Sequence, residues 1–163
     1  EDTWRLLELM IKFVGVSSSA STADPALQLK CHRLNGGDDR YQARKFFVEH
    51  AVKFNHHHKL PERLFASDSH CWIGEMGSRV RAVGEVQSQN ERFKLCNFIT
   101  DQGHTIDGVG KEFLRAVIDD LLAPHTGREK ICLEVEGMVG TTCAELGGSL
   151  HVDGSWVFAK DQE

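Results

Sequence analysis

The 163-residue sequence predicts one mixed α/β domain in which helices cover a central sheet. Two observations lead to this prediction. Three strand-like segments follow one another in the middle of the chain, at 71–76, 80–86 and 93–100. A helix, a strand, a short helix and a strand then alternate, which is typical of chains that build a mixed sheet. The length suits one domain with a short extension rather than two domains.

Residues 1–26 are interpreted as an N-terminal helix and linker ahead of a single domain over 27–163. Between residues 3 and 14, apolar side chains recur at the spacing of one helix face: Leu6, Leu7, Met10, Ile11 and Val14. Small residues from Gly15 to Asp24 predict the linker. The helix is expected to pack on the domain or on a second copy of the chain, so a homodimer is a candidate assembly.

The domain is expected to begin with a strand and a helix. Residues 27–34 alternate apolar and polar side chains, as a strand does. The Asn35–Asp39 stretch interrupts this pattern, and an aspartate there can cap a helix over about 39–54. That helix has an apolar face made of Ala43, Phe46, Phe47, His50, Ala51 and Phe54. A second, short helix is expected from Pro61 to Phe65.

The second half of the domain carries the clearer patterns. Gly77-Ser78-Arg79 between two strand-like runs predicts a β-hairpin. The most periodic helix of the chain ends before Pro124, and its buried stripe is Val109, Phe113, Leu114, Val117, Ile118, Leu121 and Leu122. Strands are expected at 131–135 and 155–159, with a short helix at 142–146 between them.

Composition argues against several classes of function. The 24 acidic and 19 basic residues give a formal net charge of −5, without the basic excess expected of a generic nucleic-acid-binding protein. No apolar run approaches the roughly 20 residues that span a bilayer, so no membrane partner is expected. The five cysteines include no CxxC pair, and free thiols in a reducing cytoplasm are expected. His56-His57-His58 is interpreted as a solvated loop rather than a metal site, because it lacks partners at metal-ligand spacing.

The segment between the strand at 93–100 and the long helix is the strongest candidate for a binding site. It contains Gly108-Val109-Gly110-Lys111, where the helix is expected to begin. Glycine lets the backbone approach a ligand closely, and the free N–H groups and dipole of a helix N-terminus favour an anion. A tight strand-to-helix turn would use the same residues, so both interpretations stand. Rossmann and P-loop patterns do not fit, because Phe113 occupies the third Rossmann glycine position and Gly-Lys-Ser/Thr is missing.

The order of elements together with this loop resembles the Gcn5-related N-acetyltransferase (GNAT) fold over about residues 27–159. Cys71–Val86 is similar to the second and third strands of that family. Phe93–Ala123 is similar to its fourth strand, pyrophosphate loop and following helix, and Ile131–Gly148 to its fifth strand and next helix. The resemblance implies a mixed, mostly antiparallel sheet flanked by helices. It also implies that loop amides hold the pyrophosphate of acetyl-CoA, while splayed fourth and fifth strands admit pantetheine and the acceptor amine.

The resemblance assigns acetyl-CoA binding to one strand residue and the loop: Ile99, Thr105, Asp107, Gly108, Val109, Gly110 and Lys111. Thr105 departs from the family pattern because Gln or Arg is usual at that position, and Asp107 adds a negative charge beside the expected anion. The usual catalytic tyrosine would fall near Cys143. A thiol there is therefore the candidate proton donor to the departing CoA thiolate, with a small buried hydrophobe as the alternative interpretation.

Carboxylates near the sheet are the candidates for taking a proton from the amine. Alternation puts Glu134 and Glu136 on one face of the fifth strand, either as a solvent-facing pair or as an acidic patch for a cationic amine. Glu85 and Glu91, near the hairpin, are further candidates. Glu134 is the residue assigned to this role.

The resemblance therefore implies an acetyl-CoA-dependent N-acyltransferase that acts on a small-molecule or peptide amine, and no metal site is expected. One alternative is a non-catalytic binding module with the same fold. Another is an NTF2-like α+β domain with an apolar ligand pocket. The NTF2-like alternative requires two long paired strands within 147–160, and a parting of the strands at 93–100 and 131–135 would count against it.

Overall fold

The computed structural model describes residues 28–35, 37–54, 64–66, 68–103, 108–136 and 139–160. The predicted N-terminal helix and linker, the three consecutive histidines and most of the predicted helix from Pro61 lie outside these ranges. The division of the chain into residues 1–26 and 27–163 therefore stays a prediction. Leu64 and Phe65, the described end of the Pro61–Phe65 segment, are not helical, so the predicted helix does not extend to them.

Within the described ranges the chain forms seven strands and three α-helices. The strands are β1 (Leu29–Arg33), β2 (His70–Met76), β3 (Arg79–Gln89), β4 (Arg92–Thr100), β5 (Lys130–Glu134), β6 (Ser149–Leu150) and β7 (Trp156–Ala159). The helices are α1 (Gly37–Lys53), α2 (Val109–Leu121) and α3 (Val139–Glu145), with a 3₁₀ turn at Pro124–Thr126. The main differences from expectation are the short strand β6, which was not predicted, and α3, which begins earlier than residue 142.

All seven described strands belong to one sheet, in the order β1-β2-β3-β4-β5-β7-β6. Neighbouring strands are antiparallel except β4 and β5, which run parallel. A parallel pair needs a crossover connection, and α2 supplies it. The mixed, mostly antiparallel sheet flanked by helices is thus confirmed.

Helices bury both faces of the sheet. On the α1 face, the buried cluster comprises Leu34, Ala43, Phe46, Phe47, Ala51, Phe65, Cys71, Ile73, Val83 and Ile99. On the opposite face, α2 and α3 bury a larger cluster that includes Trp72, Phe93, Phe98, Phe113, Leu114, Leu133, Cys143 and Phe158. The Phe113 ring lies directly on the backbone of β2 and β3, because a Cβ at Gly74 or Gly84 would come within 2.9 Å or 2.7 Å of it. These two glycines are therefore required for close approach of α2 to the sheet.

Candidate functional site

The parallel strands β4 and β5 are paired over only a short stretch. Their register joins Phe93 to Leu133 and Lys94 to Glu134, where β5 ends. The rest of β4, Leu95–Thr100, continues without a β5 partner. An opening therefore lies beside the second half of β4, as the sequence resemblance implied.

A β-bulge occurs in β4 where this opening begins. Glu85 of β3 pairs with Asn97, and Val86 pairs with Leu95, so Cys96 is the extra residue of β4. A bulge bends the strand that carries it and increases its twist. The bulge thus accompanies the separation of β4 from β5.

The start of α2 follows β4 in the chain and has no side-chain cap. Gly108 adopts φ 58° and ψ −107°, a backbone conformation that is open to glycine and costly for other residues. A Cβ at Gly108 would meet no described residue within 4 Å. Glycine has no side chain with which to cap the first N–H groups of α2, and free N–H groups at a helix N-terminus favour an anion.

A cavity of about 590 Å³ adjoins this helix start. Its described lining comes from β1, β2 and the first turn of α2: Gln28, Leu29, Met76, Gly108, Val109 and Glu112. Two of the residues assigned to cofactor binding, Gly108 and Val109, thus share one concave surface.

The other residues assigned to the cofactor occupy different surroundings. Gly110 is buried in the first turn of α2. Lys111 pairs with Glu145, the last residue of α3, at a distance of 2.9 Å between Nζ and Oε2. The side chain of Ile99 is fully buried on the α1 face. Thr105 and Asp107 lie outside the described residues.

Glu85 is a fully buried carboxyl in the middle of the sheet. Its Oε2 accepts hydrogen bonds from the backbone N–H of Phe65 and from Nδ2 of Asn97, the latter at 3.2 Å. Its Oε1 is buried and has no partner within the described ranges. Phe65 adopts a positive φ of 52°, which is costly for an aromatic residue, and the bond to Glu85 helps to hold it. A buried carboxyl with one unpaired oxygen beside a strand bulge is unusual in a protein core.

Comparison with known proteins agrees with this geometry at the level of the fold. No protein-family model matches the sequence, and no curated protein matches it. Among solved structures, yncA from Salmonella typhimurium, described as an acetyltransferase with its cofactor acetyl-CoA, aligns with a TM-score of 0.53 at 13% identity. That alignment covers 83% of this chain and 95% of yncA.

A second solved structure gives the same result. The ribosomal-protein-S18-alanine N-acetyltransferase from Escherichia coli aligns with a TM-score of 0.50 at 15% identity, over 83% of this chain and 99% of its own. The chain has the GNAT fold. At 13% and 15% identity, the similarity to these structures concerns the fold alone. This fold argues against the NTF2-like alternative. Its two long strands within 147–160 are here the short β6 and β7.

The two residues assigned to catalysis differ in exposure within this GNAT fold. Glu134 ends β5 and is exposed, beside the opening between β4 and β5. Cys143 lies in α3 and is fully buried in the core that α2 and α3 cover. Burial raises the pKa of the Cys143 thiol to about 11. The structure thus gives Cys143 a packing position, and its proton-donor role stays a prediction.

Two further observations concern membrane-spanning helices and metal sites in the described part of the chain. No helix there is long and apolar enough to cross a membrane. The described residues also contain no group of three or more His, Cys, Asp or Glu side chains arranged to hold a metal ion.

Proposed function

We propose that this protein is an acetyl-CoA-dependent N-acyltransferase whose acceptor is an amine. One juxtaposition carries the proposal: β4 parts from β5 after Lys94, and the same strand leads to the uncapped start of α2 at Gly108. The GNAT fold supports the proposal. One aligned structure of that fold contains acetyl-CoA, and the other is an N-acetyltransferase named for an alanine of a ribosomal protein. All five cysteines are free, which favours a reducing compartment such as the cytoplasm.

The residues at the start of α2 fit a pyrophosphate group. Gly108 has no side chain that would obstruct or cap the first turn, and the free N–H groups and dipole of a helix N-terminus favour an anion. Lys111 would add a positive charge. Acetyl-CoA, when bound, supplies an acyl group activated as a thioester.

We propose that Glu85 is the general base that accepts the proton of the attacking amine. Among the buried carboxyls described, it has an unpaired oxygen next to the β4 bulge, and it lies one strand away from the opening. A carboxylate at this position can receive the proton directly or through one water molecule. Glu134 remains the alternative, since it is exposed at the opening itself.

A non-catalytic module with the same fold is the second candidate function. It is favoured by Cys143, which stands near the usual position of a tyrosine acid and is fully enclosed in the core. A thiol whose pKa is raised to about 11 by burial is poorly suited to protonate a departing thiolate. Such a protein would bind CoA without transferring the acetyl group.

Thermal unfolding with acetyl-CoA and with CoA tests the proposal. A ligand that binds only the native state stabilises it by about 2.7 kcal/mol at 100 times its Kd, so both compounds should raise Tm. Absence of a shift at millimolar CoA would overturn the assignment. A shift with no acetyl transfer to a panel of amines and N-terminal peptides would favour the non-catalytic module.

Gly110→Ala tests the loop within the same assay. We expect the substitution to weaken CoA binding by more than it lowers the free energy of unfolding, because a Cβ there obstructs the approach of the anion. Gly140→Ala is the matched control, since Gly140 is likewise the second residue of a helix that begins with valine. An unchanged Kd in Gly110→Ala would mean that Gly110 serves only close packing.

A further inference from the structure

A cluster of basic and aromatic side chains lies at the C-terminal end of α2. Two guanidinium groups stand over aromatic rings: Arg33 lies 5.0 Å from the ring centre of Trp72, and Arg128 lies 4.9 Å from that of Phe93. The imidazole of His70 neighbours both rings, with centroid distances of 6.3 Å to Trp72 and 6.1 Å to Phe93. Arg33, His70 and Arg128 thus line the end of the sheet where β2 and β4 begin.

Asp120 is the described acidic group that contacts this cluster, and it accepts hydrogen bonds from only some of the N–H donors of the cluster. One oxygen, Oδ2, accepts hydrogen bonds from Nε of Arg33 at 3.1 Å and from Nε1 of Trp72 at 2.8 Å. Nη2 of Arg33 is buried and has no acceptor among the described residues. Arg128 makes no ion pair with any described carboxylate, and its guanidinium contacts the Phe93 ring instead. The cluster therefore retains strong unused donors.

The charges around His70 are unbalanced. Burial lowers the pKa of His70, the charges of Arg33, Arg128 and Arg40 lower it further, and Asp120 offsets them in part. Among the charged groups that shift the pKa of His70, three arginines stand against one aspartate, so positive charge is in excess among them.

The end of α2 does not explain the surplus. Cationic side chains often bond to the last carbonyl groups of a helix, but three of these carbonyls already have partners. The carbonyls of Ile118 and Asp120 accept the backbone N–H groups of Leu122 and Ala123, and the carbonyl of Leu121 accepts a hydrogen bond from the hydroxyl of Thr126 at 3.1 Å. The arginines are therefore not needed as caps.

We propose that Arg33, His70 and Arg128 form a binding site for a phosphate dianion. Guanidinium groups bind phosphate oxygens through paired N–H donors, and stacking on an aromatic ring holds each guanidinium in place. The site is independent of the proposed acetyltransferase function. It lies about 20 Å from the start of α2, because 13 helical residues rise roughly 1.5 Å each. The phosphate belongs either to a free small molecule or to a phosphorylated side chain of another protein.

NMR of the His70 imidazole at constant ionic strength tests the site, with inorganic phosphate as the probe. We expect a saturable shift of the His70 resonances and a rise in the pKa of His70, since a bound dianion favours the protonated ring. Arg128→Gln should weaken phosphate binding by about tenfold or more. Arg115→Gln is the control, because Arg115 is exposed on the same helix and pairs with Glu112. Equal phosphate binding in wild type and Arg128→Gln, or no shift of His70, would overturn the proposal.

Two additions separate the remaining possibilities. Arg33→Gln provides a second variant should Arg128→Gln unfold, and unfolding midpoints of both variants check that the fold is intact. O-phosphoserine peptides are compared with inorganic phosphate: tighter binding of the peptide identifies a phosphorylated protein as the ligand, and equal binding identifies free phosphate. A CoA titration that leaves His70 unmoved would support two separate sites.

Discussion

Nζ of Lys111 lies 2.9 Å from Oε2 of Glu145, so an ion pair joins the first turn of α2 to the end of α3. Both side chains are partly exposed, at 30% and 52%. Lys111 is also the cation nearest in sequence to the uncapped helix start at Gly108. If Lys111 contacts a phosphate of acetyl-CoA as proposed, Glu145 competes with that phosphate for the same ammonium group.

Glu145→Gln should tighten CoA binding by about two- to fivefold, because an exposed ion pair of this kind is worth roughly 0.4–1 kcal/mol. The gain should shrink as salt screens the pair. Titration calorimetry at two salt concentrations measures both effects, with the exposed Glu129 changed to Gln as the control. Unchanged or weaker binding in Glu145→Gln would mean that Lys111 does not reach the phosphate.

Replacing Glu85 separates its structural role from its chemical role. Glu85→Ala leaves the Phe65 N–H and the Asn97 amide buried without their acceptor, which costs about 1–3 kcal/mol for each unsatisfied group. Glu85→Gln keeps an acceptor oxygen and should cost less in urea unfolding. If Glu85 receives the proton, Glu85→Gln lowers kcat by about 10²–10⁴ while the Kd for CoA stays unchanged. A folded Glu85→Gln variant with normal kcat would return the role to Glu134.

Gly84→Ala should destabilise the fold by about 1–3 kcal/mol, because its Cβ would overlap the buried Phe113 ring. The cost arises from overpacking, since the φ of Gly84 is not in the positive range. Gly140→Ala is the contrasting case, because its Cβ would meet the Trp156 ring at an ordinary 3.5 Å and alanine favours a helix. Urea midpoints should fall for Gly84→Ala and stay level or rise for Gly140→Ala.

The buried thiol of Cys143 makes stability fall at high pH. Its pKa rises from 9.0 in the unfolded chain to about 11 in the fold, so the folded state holds this proton more tightly. The contribution is complete below pH 9 and is lost as pH rises from 9 to 11, by roughly 2–3 kcal/mol at most. Cys143→Ala should flatten this loss. Urea midpoints at pH 7.5 and 10 for both proteins provide the test, and parallel losses would contradict it.

Local patterns predicted the elements better than their contacts. The stripe along α2 and the turn at Gly77 rest on periodicity and turn chemistry, which act within a few residues. β6 was not predicted because it has only two residues, Ser149 and Leu150, and both are exposed. Two residues are too few to show the apolar–polar alternation of a strand. The earlier start of α3 was not predicted because Gly140 disfavours a helix.

The site was harder to predict because it depends on register and packing. Glu85 was one of several candidate carboxylates in the sequence. Its distinction arises from its pairing with Asn97 next to the Cys96 bulge, and from the distant Phe65 N–H. The pair of Lys111 with Glu145 likewise requires α2 and α3 to be side by side. Neither relationship can be predicted from a local sequence pattern, because each joins residues that are distant in the chain.

The brief pairing of β4 with β5 divides the backbone hydrogen bonding of the sheet into two ladders. Strands β5, β7 and β6 are joined to the others by Phe93–Leu133 and Lys94–Glu134, while side chains of the α2-face core bridge the two parts elsewhere. Partial unfolding should therefore release the β5–β7–β6 part first, and its amide protons should exchange through an opening of lower free energy than global unfolding. A ligand seated between β4 and β5 would contact both parts. Its binding would merge two cooperative units into one.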